Sequence, residues 1–162
     1  MTSKILEDEL LMKVKSILDV HENNKNHLLA ILLEVQAISP QSYIPKEVAE
    51  FISEQLEVSF SRVYDVLTFY SALSDKPRGE HLIQICNSTV CKINKYQTLE
   101  ENLEQQLGIK VGETTSDGKF TLMYASCFGA CDISPAFLIG EDVYGNLTEE
   151  KMKDIIDEYR RQ

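Results

Sequence analysis

Apolar side chains recur every three or four residues through roughly the first 75 positions, which is the spacing of helices that bury one face. Four short helices fit this pattern. The first would bury one apolar stripe, formed by Leu6, Leu10, Val14, Ile17 and Leu18. The pattern therefore predicts a small helical bundle in the N-terminal half of the chain.

The second predicted helix, 27–37, is apolar nearly all round. It should be covered on more than one side, either as a core helix or as an interface helix. Asn24 or Asn26 can cap its N-terminus. A third helix follows, and Ser59 or Ser61 can cap a fourth.

Helical periodicity stops at a polar stretch, 74–79, that contains a proline and a glycine. We place a domain boundary there, between an N-terminal helical domain, 1–78, and a second domain, 79–162. In the second domain, runs typical of strands occur at 81–85, 120–125, 136–139 and 142–145. One helix is expected after the first run and another after the last. The predicted fold class is α+β in two parts, a small helical bundle followed by an α/β domain.

Capping residues mark both helices of the second domain. Thr98 and Glu101 have the spacing of a capping box, and Gly108 fits the C-terminal end of the same helix. Thr148 can cap the last helix. The first of these helices is therefore expected to begin at Thr98.

Composition and charge narrow the function classes. The chain has 162 residues, 43% of them hydrophobic, which suffices for a buried core. A formal charge of −10 opposes binding to nucleic acid and to acidic membrane surfaces. No apolar run approaches the roughly 20 residues that span a bilayer, and the acidic N-terminus does not resemble a signal peptide. We expect a cytoplasmic protein without direct membrane insertion.

The candidate chemistry lies in four cysteines. Cys86 and Cys91 are separated by four residues, and Cys127 and Cys131 by three. Each pair follows a predicted strand, so two parallel neighbouring strands would place both pairs at one sheet edge. Four thiolates suit a 2Fe-2S cluster or a structural zinc ion. Because dithiol redox motifs have two-residue gaps and plant-type ferredoxins include a four-residue gap, the spacing favours iron and sulfur.

Small residues near the cysteines can tune such a site. Gly129 lets the backbone approach sulfur closely, and Ser88, Thr89 and Ser126 can add hydroxyl donors. The glycine-containing loop 112–118 has neither a dinucleotide fingerprint nor a phosphate loop, and its Asp-Gly step predicts a turn.

The three histidines, His21, His27 and His81, are isolated in sequence. We expect them at the surface or in the core, and we assign no catalytic residue.

Several motifs, spread over most of the chain, point to one family. They are Leu33-x-Val35-Gln36, Tyr43-Ile44-Pro45, Thr68-Phe69-Tyr70, Cys86-Asn-Ser-Thr-Val-Cys91, Gly108-Ile109, Gly112-Glu113-Thr114-Thr115-x-Asp117-Gly118 and Cys127-Phe-Gly-Ala-Cys131-x3-Pro135. With these motifs the chain resembles the thioredoxin-like 2Fe-2S subunits of NADH dehydrogenases. The resemblance implies that the α/β domain is thioredoxin-like and that Pro135 is its cis-proline.

The resemblance also implies a function. Cys86, Cys91, Cys127 and Cys131 would hold one 2Fe-2S cluster. The chain would be a non-catalytic electron-transfer subunit of a hetero-oligomeric NAD(H)-linked oxidoreductase. It would exchange single electrons with a flavin- and NADH-binding iron-sulfur subunit, which would hold FMN and NAD(H). Such subunits occur in respiratory NADH dehydrogenases, NAD-linked and electron-bifurcating hydrogenases, and formate dehydrogenases.

Three positions depart from the family pattern. Lys95 and Tyr96 stand where a glycine and a small residue are usual, which bears on the start of the following helix. Phe128 stands where leucine is common, a mild change in the packing of that loop.

Two alternatives remain open at this stage. One is a free thioredoxin-like 2Fe-2S ferredoxin, although a free carrier would not need the four-helix extension. The other is a zinc-stabilised interaction module without a redox role, which would lack the visible absorption of an iron-sulfur centre.

Overall fold

A computed structural model describes the backbone of residues 2–161 and the side chains of residues 9–161. These residues form seven helices and four strands. The helices are α1 Thr2–Val20, α2 Leu28–Ile38, α3 Lys46–Gln55, α4 Phe60–Phe69, α5 Thr89–Ile93, α6 Tyr96–Leu107 and α7 Glu149–Arg161; the strands are β1 His81–Cys86, β2 Phe120–Ala125, β3 Phe137–Ile139 and β4 Asp142–Tyr144. The chain separates into two compact units, the first ending at Pro77 and the second starting at Arg78.

The first unit is the predicted small bundle of four helices. Its apolar cluster draws on every helix and includes Val14, Leu18, Ile31, Leu32, Val35, Ile52, Val63 and Leu67. The predicted stripe of α1 is thus confirmed at Val14 and Leu18, and Ile17 and Leu10 pack partly buried against the cluster. The side chain of Leu6 lies outside the described residues.

Helix α2 contacts both α1 and α4, which confirms that it is covered on more than one side. Leu33 remains 39% exposed on this helix. Gln36, near its end, donates a hydrogen bond to the Ala72 carbonyl at 2.8 Å and accepts one from the Ser74 N–H at 2.6 Å. These bonds fasten the segment after α4 to α2.

One predicted cap of this unit is confirmed and one is wrong. Ser59 Oγ accepts the Arg62 N–H at 3.3 Å at the start of α4. Asn24 instead caps a short 3-10 turn, Lys25–His27, and His27 gives α2 no side-chain cap. The extra turn uses Asn24 before α2 begins.

The second unit contains a four-stranded mixed sheet in the order β2-β1-β3-β4. The central strand β1 pairs with β2 in parallel, and β3 is antiparallel to both β1 and β4. All four strands were predicted, although β3 starts one residue later than expected, at Phe137. Buried residues of the sheet and of the inward faces of α6 and α7 form one core, made of Ile83, Ile85, Leu99, Leu103, Leu107, Phe120, Leu122, Phe137, Ile139, Met152, Ile155 and Ile156.

The ends of α6 and α7 test the remaining cap predictions. Thr148 Oγ1 accepts the Lys151 N–H at 3.2 Å, as expected for the cap of α7. Gly108 ends α6 in the left-handed region, with φ 69°, which is also confirmed. The capping box is wrong because α6 begins at Tyr96, so Thr98 lies inside its first turn. The N-cap residue is Lys95, whose backbone is left-handed, with φ 60° and ψ 51°.

Replacing Lys95 with glycine should raise the free energy of unfolding by about 0.5–1 kcal/mol. A left-handed non-glycine residue costs about 1–2 kcal/mol, and the greater freedom of glycine in the unfolded chain offsets part of the gain. Denaturant unfolding of both proteins measures the difference. Lys92→Gly, inside α5, is the control, and it should destabilise by about 1 kcal/mol. Equal destabilisation by both changes would contradict this account of Lys95.

Tyr124 on β2 should make the protein sensitive to alkaline pH. Partial burial of the residue, which is 39% exposed, raises its pKa to about 12, and the carboxylate of Glu100 on α6, which accepts the phenolic hydrogen bond at 2.9 Å, adds to the rise. Above the ordinary pKa of 10.0, the unfolded chain loses this proton before the folded chain does, so stability present below pH 10 falls between pH 10 and about pH 12. Tyr124→Phe should therefore show a shallower loss of unfolding free energy over this range. A slope equal to that of the parent would contradict the assignment.

Candidate metal centre

The site begins where the two parallel strands end. In the register of β1 and β2, Cys86 lies opposite Ala125, and Cys127 follows two residues later. The loops after both strands therefore leave the sheet at the same edge. This confirms the parallel arrangement on which the predicted convergence of the two cysteine pairs depends.

The first cysteine pair is buried. Cys86, the last residue of β1, is 3% exposed, and Cys91 is 2% exposed. Cys91 lies in α5, a one-turn helix that we did not predict and whose N-cap residue is Ser88. This turn folds the four-residue gap back on itself, so both sulfurs lie beneath the surface.

The second cysteine pair is exposed. The Sγ atoms of Cys127 and Cys131 are 3.6 Å apart. Gly129 between them has φ 91°, a conformation that favours glycine and reverses the loop. Cys131 starts a 3-10 turn, Cys131–Ile133. All four cysteines lie within the described residues and are free thiols.

The thiols influence one another's acidity. Burial raises the pKa of Cys91 to about 11, and the Cys86 thiol adds to this rise. Burial also acts to raise the pKa of Cys86, but hydrogen bonds from Ser88 and from the Cys91 and Cys127 thiols outweigh it, so that pKa lies below its usual value. The Cys127 thiol raises the pKa of Cys131. The effect of Cys127 on Cys86 acts from one pair to the other, as expected for loops that leave the same edge of the sheet.

The geometry of the exposed pair fits a tetrahedral metal. Two thiolates on one such metal, each about 2.3 Å from it, lie about 3.8 Å apart. The observed 3.6 Å between the sulfurs of Cys127 and Cys131 is close to this value. Among the side chains of residues 9–161, no three cysteine, histidine, aspartate or glutamate residues are placed to hold a single metal ion.

The predicted hydroxyl donors are only partly found at the sulfurs. Ser88 contacts Cys86 as expected. Thr89 is the first residue of α5 and Ser126 follows β2, and both are exposed. Pro135 follows a cis peptide bond, in agreement with the expectation.

Two polar contacts near the site were not predicted from the sequence. Asn94 Nδ2 donates a hydrogen bond to Ser134 Oγ, which in turn donates to the Cys131 carbonyl at 2.9 Å. The two side chains are 40 residues apart in the chain, so no local pattern indicates their contact.

The histidines are less isolated than their sequence positions indicate. His21 Nε2 contacts Glu34 Oε1 at 2.9 Å, and its Nδ1 lies 3.4 Å from that of His27. His81, at the start of β1, packs against the rings of Phe120 and Tyr159.

None of the helices within residues 2–161 combines the length and apolar character needed to cross a membrane.

The fold resembles that of solved hydrogenase chains. An NAD⁺-reducing [NiFe]-hydrogenase in its air-oxidised state matches with a TM-score of 0.70 at 19% identity. The match covers 84% of this chain and 23% of the solved chain. At this identity the likeness shows the fold alone, a helical region followed by an α/β domain.

Sequence comparison gives more similar relatives. The NADP-reducing hydrogenase subunit HndA of Solidesulfovibrio fructosivorans is 31% identical over 96% of this chain and 90% of its own length. The NADH-quinone oxidoreductase subunits E of Rickettsia felis and Escherichia coli K12 are 38% and 39% identical, covering 85% and 74% of this chain and 82% and 72% of their own lengths. The family model described as thioredoxin-like [2Fe-2S] ferredoxin matches residues 14–160. The expected family is thus confirmed, and the chain belongs to the thioredoxin-like [2Fe-2S] ferredoxins.

Proposed function

We propose that this chain is an electron-transfer subunit that binds one 2Fe-2S cluster through Cys86, Cys91, Cys127 and Cys131. The observation that supports it most directly is the parallel β1-β2 pair, which brings the two loops that carry the four free thiols to one edge of the sheet. The two thiols of the exposed pair have the separation expected on one tetrahedral iron. When bound, such a cluster supplies a carrier of one electron at a time.

The chain's own residues divide the work of the site. Cys86 and Cys91 would bind from the protein interior, where burial keeps water from one side. Cys127 and Cys131 would bind from the surface. Metal binding must displace the thiol protons, because the thiolate is the ligand. Cys91 and Cys131 hold their protons more firmly than usual, so metal binding should be favoured by higher pH. The exposed pair marks the side from which electrons enter and leave.

The proposed partner is a flavin- and NADH-binding iron-sulfur subunit within a larger NAD(H)-linked oxidoreductase in the cytoplasm. The names of the relatives, subunits of a hydrogenase and of NADH-quinone oxidoreductases, support this assignment. Hydride carries two electrons together, whereas the cluster accepts one, so a flavin must separate them. FMN and NAD(H) are therefore placed on the partner, and this chain acts without a catalytic centre of its own.

We also propose that the two parts of the chain have different roles. The helical domain, 1–78, would contact the other subunits of the complex, and the thioredoxin-like domain, 79–162, would hold the cluster. The compact helical unit ending at Pro77 supports this division. A free ferredoxin, which has no partner subunits to contact permanently, would not need the helical domain.

Anaerobic purification tests the proposal. The expected result is two iron and two sulfide per chain, visible absorption, and a paramagnetic resonance signal that appears only on reduction. Stoichiometric zinc without colour would contradict it and favour a structural module. Affinity purification from the source cells should recover a flavin-containing subunit, and recovery of the coloured chain alone would favour a free carrier.

A further inference from the structure

The segment between the last cysteine and β3 contacts the other segments of the site. Ser134 Oγ donates a hydrogen bond to the Cys131 carbonyl at 2.9 Å and accepts one from Asn94 Nδ2. Asn94 is the C-cap residue of α5, the helix that contains Cys91. The Asn94–Ser134 hydrogen bond therefore links the two cysteine pairs, which are far apart in the sequence.

Ala136, two residues further on, extends the same link. Its carbonyl accepts the Cys86 N–H at 3.2 Å, and its backbone lies near enough to the Cys91 thiol to act on the pKa of that group. Ala136 is completely buried, so packing fixes the position of this backbone. One short segment thus contacts three of the four cysteines.

We propose that residues 134–136 form a brace that sets the position of one cysteine pair relative to the other, with Asn94 and Ser134 as its positioning residues. The inference rests on the proposed function, because relative position matters only if both pairs bind one cluster. Hydrogen-bonded groups behind metal ligands hold those ligands in place, and their loss typically weakens metal binding.

Neither side chain fills the core, which makes the brace testable by substitution. Asn94 is exposed and Ser134 is half-buried, so alanine at either position opens no large cavity. Thr148→Ala is the matched control. It removes one hydroxyl hydrogen bond in the same unit, at the start of α7, away from the cysteines.

The experiment measures release of iron from the purified, cluster-loaded chain to a chelator. Asn94→Ala should release iron about 5-fold faster than the parent, the effect of one lost hydrogen bond, and Ser134→Ala at least as fast. The double variant should be no faster than Ser134→Ala, because both changes break the same link. Ser134→Thr keeps the hydroxyl and should keep the parental rate, as should Thr148→Ala.

A second measurement distinguishes a change in the position of the cysteines from a general loss of stability. The paramagnetic resonance signal of the reduced protein should shift in Asn94→Ala and remain parental in Thr148→Ala. Parental release from Asn94→Ala would overturn the proposal, as would a double variant whose rate equals the product of the single effects.

If the parent binds no iron, the proposed function fails. Hydrogen exchange in the iron-free chain then tests whether residues 134–136 act as a brace. Faster exchange of residues 131–136 in Asn94→Ala supports the brace, and unchanged exchange overturns it.

Discussion

Replacing Cys127 with serine is expected to reduce the iron content of the anaerobically purified chain to a small fraction of the parental value and to abolish its visible absorption. A serine hydroxyl is a poor substitute for a thiolate, and loss of a direct ligand should exceed the roughly 100-fold weakening that loss of an outer partner can cause. The α/β unit should also become less stable, because cluster binding and folding are coupled. Iron analysis, absorption spectra and thermal unfolding measure the three effects.

The neighbouring Ser126→Ala is the matched control for this experiment. Ser126 is exposed, like Cys127, and precedes it in the same loop. Its substitution should leave iron content and stability close to parental. Full iron and full absorbance in Cys127→Ser would show that Cys127 is not a ligand.

The second large effect is expected from Phe137→Ala, at the centre of the sheet. Phe137 is completely buried on β3, where it pairs with Ile85 of β1 and packs against the Tyr144 ring at a centroid distance of 5.4 Å. Truncating a buried phenylalanine costs about 3–5 kcal/mol. Because Ile85 immediately precedes Cys86, the cavity should also weaken iron retention. Hydrogen exchange of β1 amides measures the loss within this unit.

Phe69→Ala makes the same chemical change at the surface. Phe69 ends α4 and is 80% exposed, so its truncation should alter the free energy of unfolding by no more than about 0.5 kcal/mol. A similar loss in both variants would show that burial does not determine the cost of Phe137→Ala.

The sequence predicts the architecture well because its signals are local. Periodic apolar residues place the four helices, and alternating or apolar runs place the four strands. Helix caps are predicted correctly where a single side chain forms the capping hydrogen bond, as at Ser59 and Thr148. The start of α6 is missed because Lys95 adopts a left-handed conformation that the residue type does not indicate.

Contacts between distant segments are less accessible to such reasoning. The cysteine spacing and the resemblance identify the ligand candidates, but the bond between Asn94 and Ser134 depends on the folded loops. The approach of His21 to His27 depends on the left-handed residues Glu22 and Asn23, which turn the chain back between them. The turn at Glu22 and Asn23 contains no glycine, so its left-handed conformation is not indicated by the residue types.

The parallel pairing of β1 with β2 also orders events during synthesis. The central strand β1 leaves the ribosome first, and its partner β2 emerges only after α5 and α6. Long-range parallel pairs form late because a long loop must close before they gain any contact. If the four cysteines hold one cluster, as proposed, the ligand set is complete only once Cys131 has been synthesised and the β1-β2 pair has closed. On that assignment, iron insertion would belong to the last stage of maturation, and until then all four thiols would stay without a metal.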